Sequence, residues 1–326
     1  MRALVITRPG GADVLELQNR PAPEPGPGEI RVRVHASALN RADLLQRRGH
    51  YPAPPGAPAD IPGLEYAGEV DRVGEGAGLW AVGNRAMGIV GGGAHAEYVV
   101  VHEREAIRIP QNLGWEEAAA IPEALMTAYD ALFRQLDLTM GERLLVLAVG
   151  SGVGTAAVQL ASAAGATVIG TSRTASKLAR AAELGMETGI DTSAEDLAEA
   201  VNQATYGSGV HAVLDLVGGK LLEASLRVVA LRGRVAAVGT TGGAKVQVDL
   251  GLLLRRRIHL IGTVLRSRPL EEKIALAREF SGAVLPLVSS GRIRPVVDCV
   301  IGFDQVRKAH DRMESNESFG KIVLKW

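Results

Sequence analysis

The sequence has 326 residues with 36 Lys+Arg against 36 Asp+Glu, so its formal charge is zero and nothing global draws it toward nucleic acid or an anionic membrane. At 47% hydrophobic and 22% charged residues, the composition is that of a globular protein of about two domains, which excludes disordered and fibrous classes. The start turns polar after four apolar residues, and no uninterrupted apolar run approaches the ~20 residues that span a bilayer, so the expectation is a cytoplasmic protein without a membrane span. A single cysteine, Cys299, excludes an intrachain disulfide and any multi-Cys metal site, and its neighbours Val296, Val297 and Val300 predict a buried strand position. Glycine is abundant at 39 residues while aromatics are only 4%, so many backbone positions are special and rings to stack a planar ligand are scarce.

In chain order, segments 2–7, 29–37, 65–73 and 95–102 alternate apolar with polar residues, as half-buried strands do, with Pro/Gly clusters at 21–28 and 52–56 between them. This half predicts a β-rich, barrel-like domain. Residues 116–136 read as a helix running through a proline, and 143–149 as an apolar run that ends in glycines. Apolar runs at 166–171, 210–217, 233–239 and 258–265 then alternate with segments of helical period such as 175–184 and 221–231, the signature of βαβ units around a parallel sheet. One long helix is expected over 270–289, followed by strand, helix and a last strand at 320–324. This tail is too short for a third domain and is expected to pack back on the first. The fold class predicted is α/β, a Rossmann doubly wound parallel sheet (123–265) inserted in a β-rich barrel domain (1–122 plus 266–326).

The turn after the first α/β strand carries the first chemistry. Gly150, Ser151, Gly152, Val153 and Gly154 stand where a strand ends and a helix begins, so a backbone without Cβ atoms can approach a pyrophosphate and offer it helix N-terminal N–H groups. The spacing departs from a strict G-x-G-x-x-G, because no glycine falls three residues after Gly154. At the end of the second strand, a site for NAD would show a carboxylate to bind the ribose 2′-hydroxyl. Here Ser172, Arg173 and Lys177 supply a hydroxyl and two cations instead, which suits a 2′-phosphate and predicts NADPH. The competing reading of Arg173 and Lys177 is a solvated helix face. Asp215 and the Gly239-Thr240-Thr241 turn lie at the ends of later strands, where ligands of open α/β sheets bind, although Asp215 equally suits a helix cap.

The turn Ser151-Gly-Val-Gly-Thr-Ala-Ala-Val-Gln-Leu160, the stretch Ser37-Ala-Leu-Asn40-Arg-Ala-Asp43-Leu-Leu-Gln-Arg-Arg-Gly49-His-Tyr51 and the ending Gly320-Lys321-Ile-Val-Leu together resemble the zinc-free quinone oxidoreductases of the medium-chain dehydrogenase/reductase superfamily. Ile121-Pro-Glu-Ala124-Leu-Met-Thr127-Ala128 and Leu265-Arg266-Ser-Arg268 extend the resemblance along the chain, toward the NADPH:quinone oxidoreductase branch that a tumour-suppressor protein induces in animal cells. The resemblance implies a GroES-like catalytic domain, a Rossmann domain, NADPH in the cleft between them, and a homodimer or homotetramer. It also implies cofactor contacts from Thr127, Leu265, Arg266 and Lys321.

Zinc enzymes of the same superfamily carry a catalytic Cys and a His-Glu pair. Here Asn40 stands in the Cys position and Leu64 in the His position, so no metal is expected. A Tyr that relatives place near the adenosine phosphate aligns with Thr192. Without a metal, the expected chemistry is direct hydride transfer to a quinone or another electron-poor acceptor, with Asn40 and Tyr51 as hydrogen-bond donors and Asp43 as a structural acceptor beside them. Tyr51 also matches the proton-donating Tyr of 2-enoyl thioester reductases, so a thioester or alkenal double-bond reductase is the enzymatic alternative. A crystallin-like or RNA-associated NADPH-binding protein is the non-catalytic one.

Overall fold

Alternation of apolar and polar residues builds the first sheet. The computed structural model describes residues 1–326, and in it β1 (Arg2–Ile6) pairs antiparallel with β2 (Leu15–Asn19). Next comes β3 (Glu29–Ala38), which turns Ile30, Val32 and Val34 into one core, and then α1 (Arg41–Arg47). The strands β4 (Glu65–Val73), β5 (Arg85–Ile89), β6 (Tyr98–His102) and β7 (Ile107–Arg108) follow, and α2 (Trp115–Ala119) and α3 (Pro122–Tyr129) end this stretch.

The α/β segment contributes β8 (Arg143–Val146), α4 (Gly152–Ala163), β9 (Thr167–Ser172), α5 (Ala175–Ala182), β10 (Thr188–Asp191) and α6 (Leu197–Ala204). It continues with β11 (Val210–Asp215), α7 (Gly219–Leu226), β12 (Val229–Ala237), α8 (Leu250–Arg256) and β13 (His259–Gly262). The tail adds α9 (Leu270–Ala283), α10 (Leu285–Ser289), β14 (Val297–Gly302), α11 (Val306–Glu314) and β15 (Lys321–Lys325).

Two compact units result, Met1–Met126 with Leu265–Trp326 and Thr127–Val264. In the first, the order β14-β15-β3-β4-β5-β7 with β6 also on β3 makes a seven-stranded sheet, and β15 pairs antiparallel with β3. The tail therefore closes the sheet begun by the N-terminal strands. In the second, the order β10-β9-β8-β11-β12-β13 is parallel throughout, which is the doubly wound Rossmann arrangement with its switch point between β8 and β11. Leu145, Ile169, Val213 and Val235 from four of those strands share its core.

Several predicted elements are interrupted for local reasons. The helix expected over 116–136 breaks before Pro122, which starts α3 because a first-turn residue needs no N–H, and it ends in a wider π-type turn at Asp130–Gln135. The helix over 270–289 divides at Val284, ahead of Pro286. In the run 143–149 the regular strand ends at Val146, ahead of Ala148 at φ 66°, although the Leu147 and Val149 N–H groups still bond to the Leu214 and Thr171 carbonyls. Cys299 lies on β14 but is only half-buried.

Candidate active site

Because every strand of the second sheet is parallel, the residues that end β8, β9, β11 and β12 share one edge. That edge holds the turn 150–154, Ser172 with Arg173 and Lys177, Asp215, and the turn 239–241. In the first turn Ser151 caps α4, its hydroxyl accepting the Gly154 N–H at 3.0 Å. The Ala148 N–H donates to the Thr171 hydroxyl at 3.1 Å, which ties the turn to β9. A Cβ on Gly154 would lie 2.4 Å from the Ala148 carbonyl oxygen and 2.8 Å from Val149 Cα. Gly154 thus permits the close helix–strand packing assigned to the last glycine of the dinucleotide fingerprint, and Ser151 and Val149 occupy the two earlier glycine positions. The first N–H groups of α4 have no intrahelical partners, so Gly152 and Val153 present donors under the positive end of the helix. A pyrophosphate fits that cradle.

The acid-free end of β9 carries its own geometry. Ser172 Oγ accepts the Thr174 N–H at 3.1 Å, Arg173 is exposed, and Lys177 lies in the first turn of α5. One feature here is not evident from β9 alone. Asp191 ends the neighbouring β10 in register with Ser172, so a carboxylate does reach this edge, one strand over. Its Oδ1 accepts the Ser193 N–H at 2.9 Å and hydroxyl at 2.6 Å, and these bonds hold the carboxyl below its usual range. Thr192, beside it, gives its N–H to the Ser172 carbonyl.

Asp215 is fully buried, and its carboxylate accepts the Val217 and Gly218 N–H groups, each at 2.8 Å. Burial raises its pKa while those two backbone bonds oppose the rise. It therefore shapes the 215–219 loop, whereas Gly218 caps α7. That loop is in turn bonded to the 239–243 loop, the Gly242 N–H donating to the Val217 carbonyl and Gly219 to Gly243.

In the first unit the residues of the Asn40 motif form a closed polar cluster. Asp43 accepts the Asn40 N–H at 2.7 Å and the Gly63 N–H at 2.9 Å. Glu65, with no exposed surface, takes Lys321 Nζ at 2.6 Å and Asn40 Nδ2 at 2.9 Å on Oε1, and the Glu123 N–H at 2.8 Å on Oε2. Lys321 also donates to Asn40 Oδ1 at 2.6 Å and the Leu39 carbonyl at 3.0 Å, which uses all three of its hydrogens. Asn40 directs its other amide hydrogen to the Ala38 carbonyl at 3.2 Å. Neither side chain has a donor left for a substrate or a phosphate. The superfamily's catalytic zinc does not fit this set: an amide at 40, Leu64, and an ammonium seated on Glu65 are not zinc ligands.

Tyr51 stands on the loop after α1, half-buried. Arg266 lies over its ring, 4.9 Å from guanidinium carbon to ring centroid. The same guanidinium donates to the Gly91 carbonyl at 2.8 Å, the Tyr51 carbonyl at 3.3 Å and Gln46 Oε1 at 2.6 Å. Burial raises the Tyr51 phenol pKa, the Arg266 charge opposes that rise, and Glu123 adds to it. Glu123, second residue of α3, has Oε2 buried without a partner, and burial together with the nearby Glu65 charge pushes its carboxyl up to about 8. Thr127, about one turn after Glu123 on α3, is buried, as is Leu265.

The structure thus gathers Gly150 to Gly154, Ser172, Arg173, Lys177, Asp215 and Gly239 to Thr241 at one edge of the second unit. Asn40, Asp43 and Lys321 gather in the first, with Tyr51 held by Arg266. Glu65, Glu123, Gln46 and Asp191 were not singled out from the sequence. For Glu65 the sequence signal is Gly63-Leu64-Glu65, which keeps the glutamate of the His-Glu pair and replaces the histidine.

Two family descriptions match the chain, an alcohol dehydrogenase GroES-like domain over residues 26–111 and a zinc-binding dehydrogenase over 152–281. A quinone oxidoreductase of Pseudomonas aeruginosa is 34% identical over 324 residues, covering 97% of this chain and 96% of its own. Among solved structures, Escherichia coli quinone oxidoreductase complexed with NADPH superposes with a TM-score of 0.90 at 28% identity over the whole of both chains. An NAD-dependent alcohol dehydrogenase does so with a TM-score of 0.89 at 33% identity, again over both whole chains.

Proposed function

The chain belongs to the medium-chain dehydrogenase/reductase superfamily, a family of NAD(P)-dependent oxidoreductases, and from that premise we propose that it is an NADPH-dependent quinone reductase that transfers hydride without a metal. The observation that carries the cofactor half is the end of β9, where Ser172, Arg173 and Lys177 stand without a carboxylate on that strand. Arg173 and Lys177 grip a 2′-phosphate, the Gly152 and Val153 N–H groups take the pyrophosphate, and Asp215 holds the loop that faces the ribose. A reduced nicotinamide supplies two electrons as hydride when bound. The chain's remaining task is to orient an acceptor and to meet the charge that develops on its oxygen.

In the first unit, Tyr51 is the donor for that oxygen. Asn40 and Asp43 act as its scaffold, because their polar atoms are already paired within the cluster of Glu65 and Lys321. The oxyanion of a reduced quinone is delocalised, so a single hydroxyl suffices to meet its charge. The same hydroxyl favours a second reading, reduction of an enoyl thioester or alkenal, where the product carbanion needs a proton delivered to it. Homodimer formation is proposed as well, supported by the unpaired outer edge of β13 and its exposed Leu260.

Stopped-flow oxidation of NADPH by 1,2-naphthoquinone, run beside crotonyl thioester and an alkenal, tests the assignment. Fast quinone turnover supports it; thioester turnover with no quinone activity replaces it with the second reading. For the cofactor, Ser172→Asp is expected to weaken NADPH more than NADH, and equal effects on both remove the 2′-phosphate assignment.

A further inference from the structure

Arg266 presents an electrostatic problem of its own. Its side chain is buried, at 4% exposure for the residue, yet every hydrogen-bond partner it has is neutral: the Gly91 and Tyr51 carbonyls and the Gln46 amide. No carboxylate lies within ion-pair distance of it. A buried cation is ordinarily paired, because desolvation without a counter-charge is costly. The groups that face it electrostatically are Asp43, Tyr51 and Glu123, and of these it touches only Tyr51, through both the ring face and the backbone carbonyl.

We propose that Arg266 is the positioning residue of Tyr51: it fixes the 51–59 loop beneath its guanidinium and is the counter-ion for the phenolate left when Tyr51 gives its proton to the reduced acceptor. The inference rests on the proposed reductase activity. In the step, the phenol O–H bond breaks and an O–H or C–H bond forms on the acceptor that has received hydride. The phenolate recovers its proton from water.

Three features of the site support this role. Cation–π contact favours the neutral ring and a phenolate alike over a displaced one, so Arg266 holds Tyr51 before and after transfer. The clamp joins three separate segments, since Gln46 in turn donates to the Ala59 carbonyl at 3.1 Å and Arg266 reaches Gly91. Finally, the Tyr51 phenol faces Arg266 and Glu123, and Arg266 is the one that favours its ionisation.

The test is a double-mutant cycle on the full chain with NADPH and whichever of 1,2-naphthoquinone and crotonyl thioester the parent protein turns over. Tyr51→Phe and Arg266→Lys are each expected to lower kcat about 10- to 100-fold with KM for NADPH within about twofold of the parent. The double variant should be no slower than Tyr51→Phe alone, within about twofold. Multiplying effects overturn the proposal, as does a raised KM for NADPH at unchanged kcat, which would return Arg266 to the cofactor. If Arg266→Lys does not fold, Gln46→Met loosens the clamp by one hydrogen bond and should act in the same direction, again only when Tyr51 is present. A parent protein inactive toward every acceptor overturns the reductase reading instead. The clamp is then read with 3,5-difluorotyrosine at position 51, whose fluorines make the phenol more acidic than that of tyrosine. Arg266→Lys or Gln46→Met should move that titration to higher pH, and an unmoved titration overturns the proposal.

Discussion

The charged residues of the first unit and those at the carboxyl edge of the second solve opposite problems. Around Asn40, carboxylates and an ammonium are buried and bonded to one another, so their charges are consumed in holding α1, β4, α3 and β15 in place. At the end of β9, Arg173 is exposed and its charge is available to a ligand. Both sets look alike as sequence, since each is a few polar residues in an apolar context. They differ in the cost of removal: a buried pair leaves an uncompensated charge behind, whereas a surface cation leaves only solvent.

Lys321 should break the comparison most visibly. Lys321→Met leaves the Glu65 carboxylate buried with only amide partners, and the expected loss is about 3–5 kcal/mol of stability in denaturant unfolding. Arg173→Ala should change stability by no more than about 0.5 kcal/mol. Similar losses for the two would mean that the Lys321 cluster is not the internal brace described above.

Glu123 separates the two regions by pH. Its carboxyl is raised to about 8 by burial and by Glu65, while in the unfolded chain it titrates in the ordinary carboxylate range. Between those two values the unfolded state binds fewer protons, so this group's contribution is full at acid pH and is lost as pH rises through about 8. Glu123→Gln is therefore expected to match the parent in thermal stability near pH 4 and exceed it near pH 9; a variant less stable at both ends contradicts the assignment. The buried rings of His95 and His310 act in the opposite sense. Desolvation holds both below their ordinary pKa, so their contribution is lost as pH falls below about 6.5.

The division of labour explains how much could be read from the sequence. Period-two alternation in 29–37 and the βαβ rhythm after residue 143 specified both sheets, because burial of one face or both dictates which residues can follow each other. The basic end of β9 was legible too, since its residues are consecutive. The Asn40 cluster was not: Lys321 meets Glu65 only after β15 has paired with β3, and Arg266 meets Tyr51 across most of the chain length. A residue read alone could be assigned a donor's role, but whether its hydrogens remained free depended on partners hundreds of positions away. Gly154 lay between these cases. The motif spacing looked irregular because Ser151 and Val149 replace glycines, and only the 2.4 Å approach to Ala148 reveals which glycine cannot be substituted.

At the open edge, Arg173→Ala should lower affinity for NADPH about tenfold while leaving NADH within about twofold, as measured by calorimetric titration. Equal losses would place Arg173 on a group common to both dinucleotides.

The smallest effect belongs to Asp191. It stands in register with Ser172, so a 2′-phosphate held by Arg173 and Lys177 would share its edge with a carboxylate one strand away. That carboxylate is bonded to Ser193, and it lies in solvent-screened surroundings, which limits the repulsion. Asp191→Asn keeps an oxygen to accept the Ser193 N–H and removes the charge. NADPH should then bind about two- to threefold more tightly at low salt, with the gain shrinking as salt is added and NADH unaffected. A gain that persists at high salt, or that extends to NADH, would mean that Asp191 acts by shaping the β10 end rather than by its charge, and that the acid-free character of β9 alone sets the preference for the phosphate.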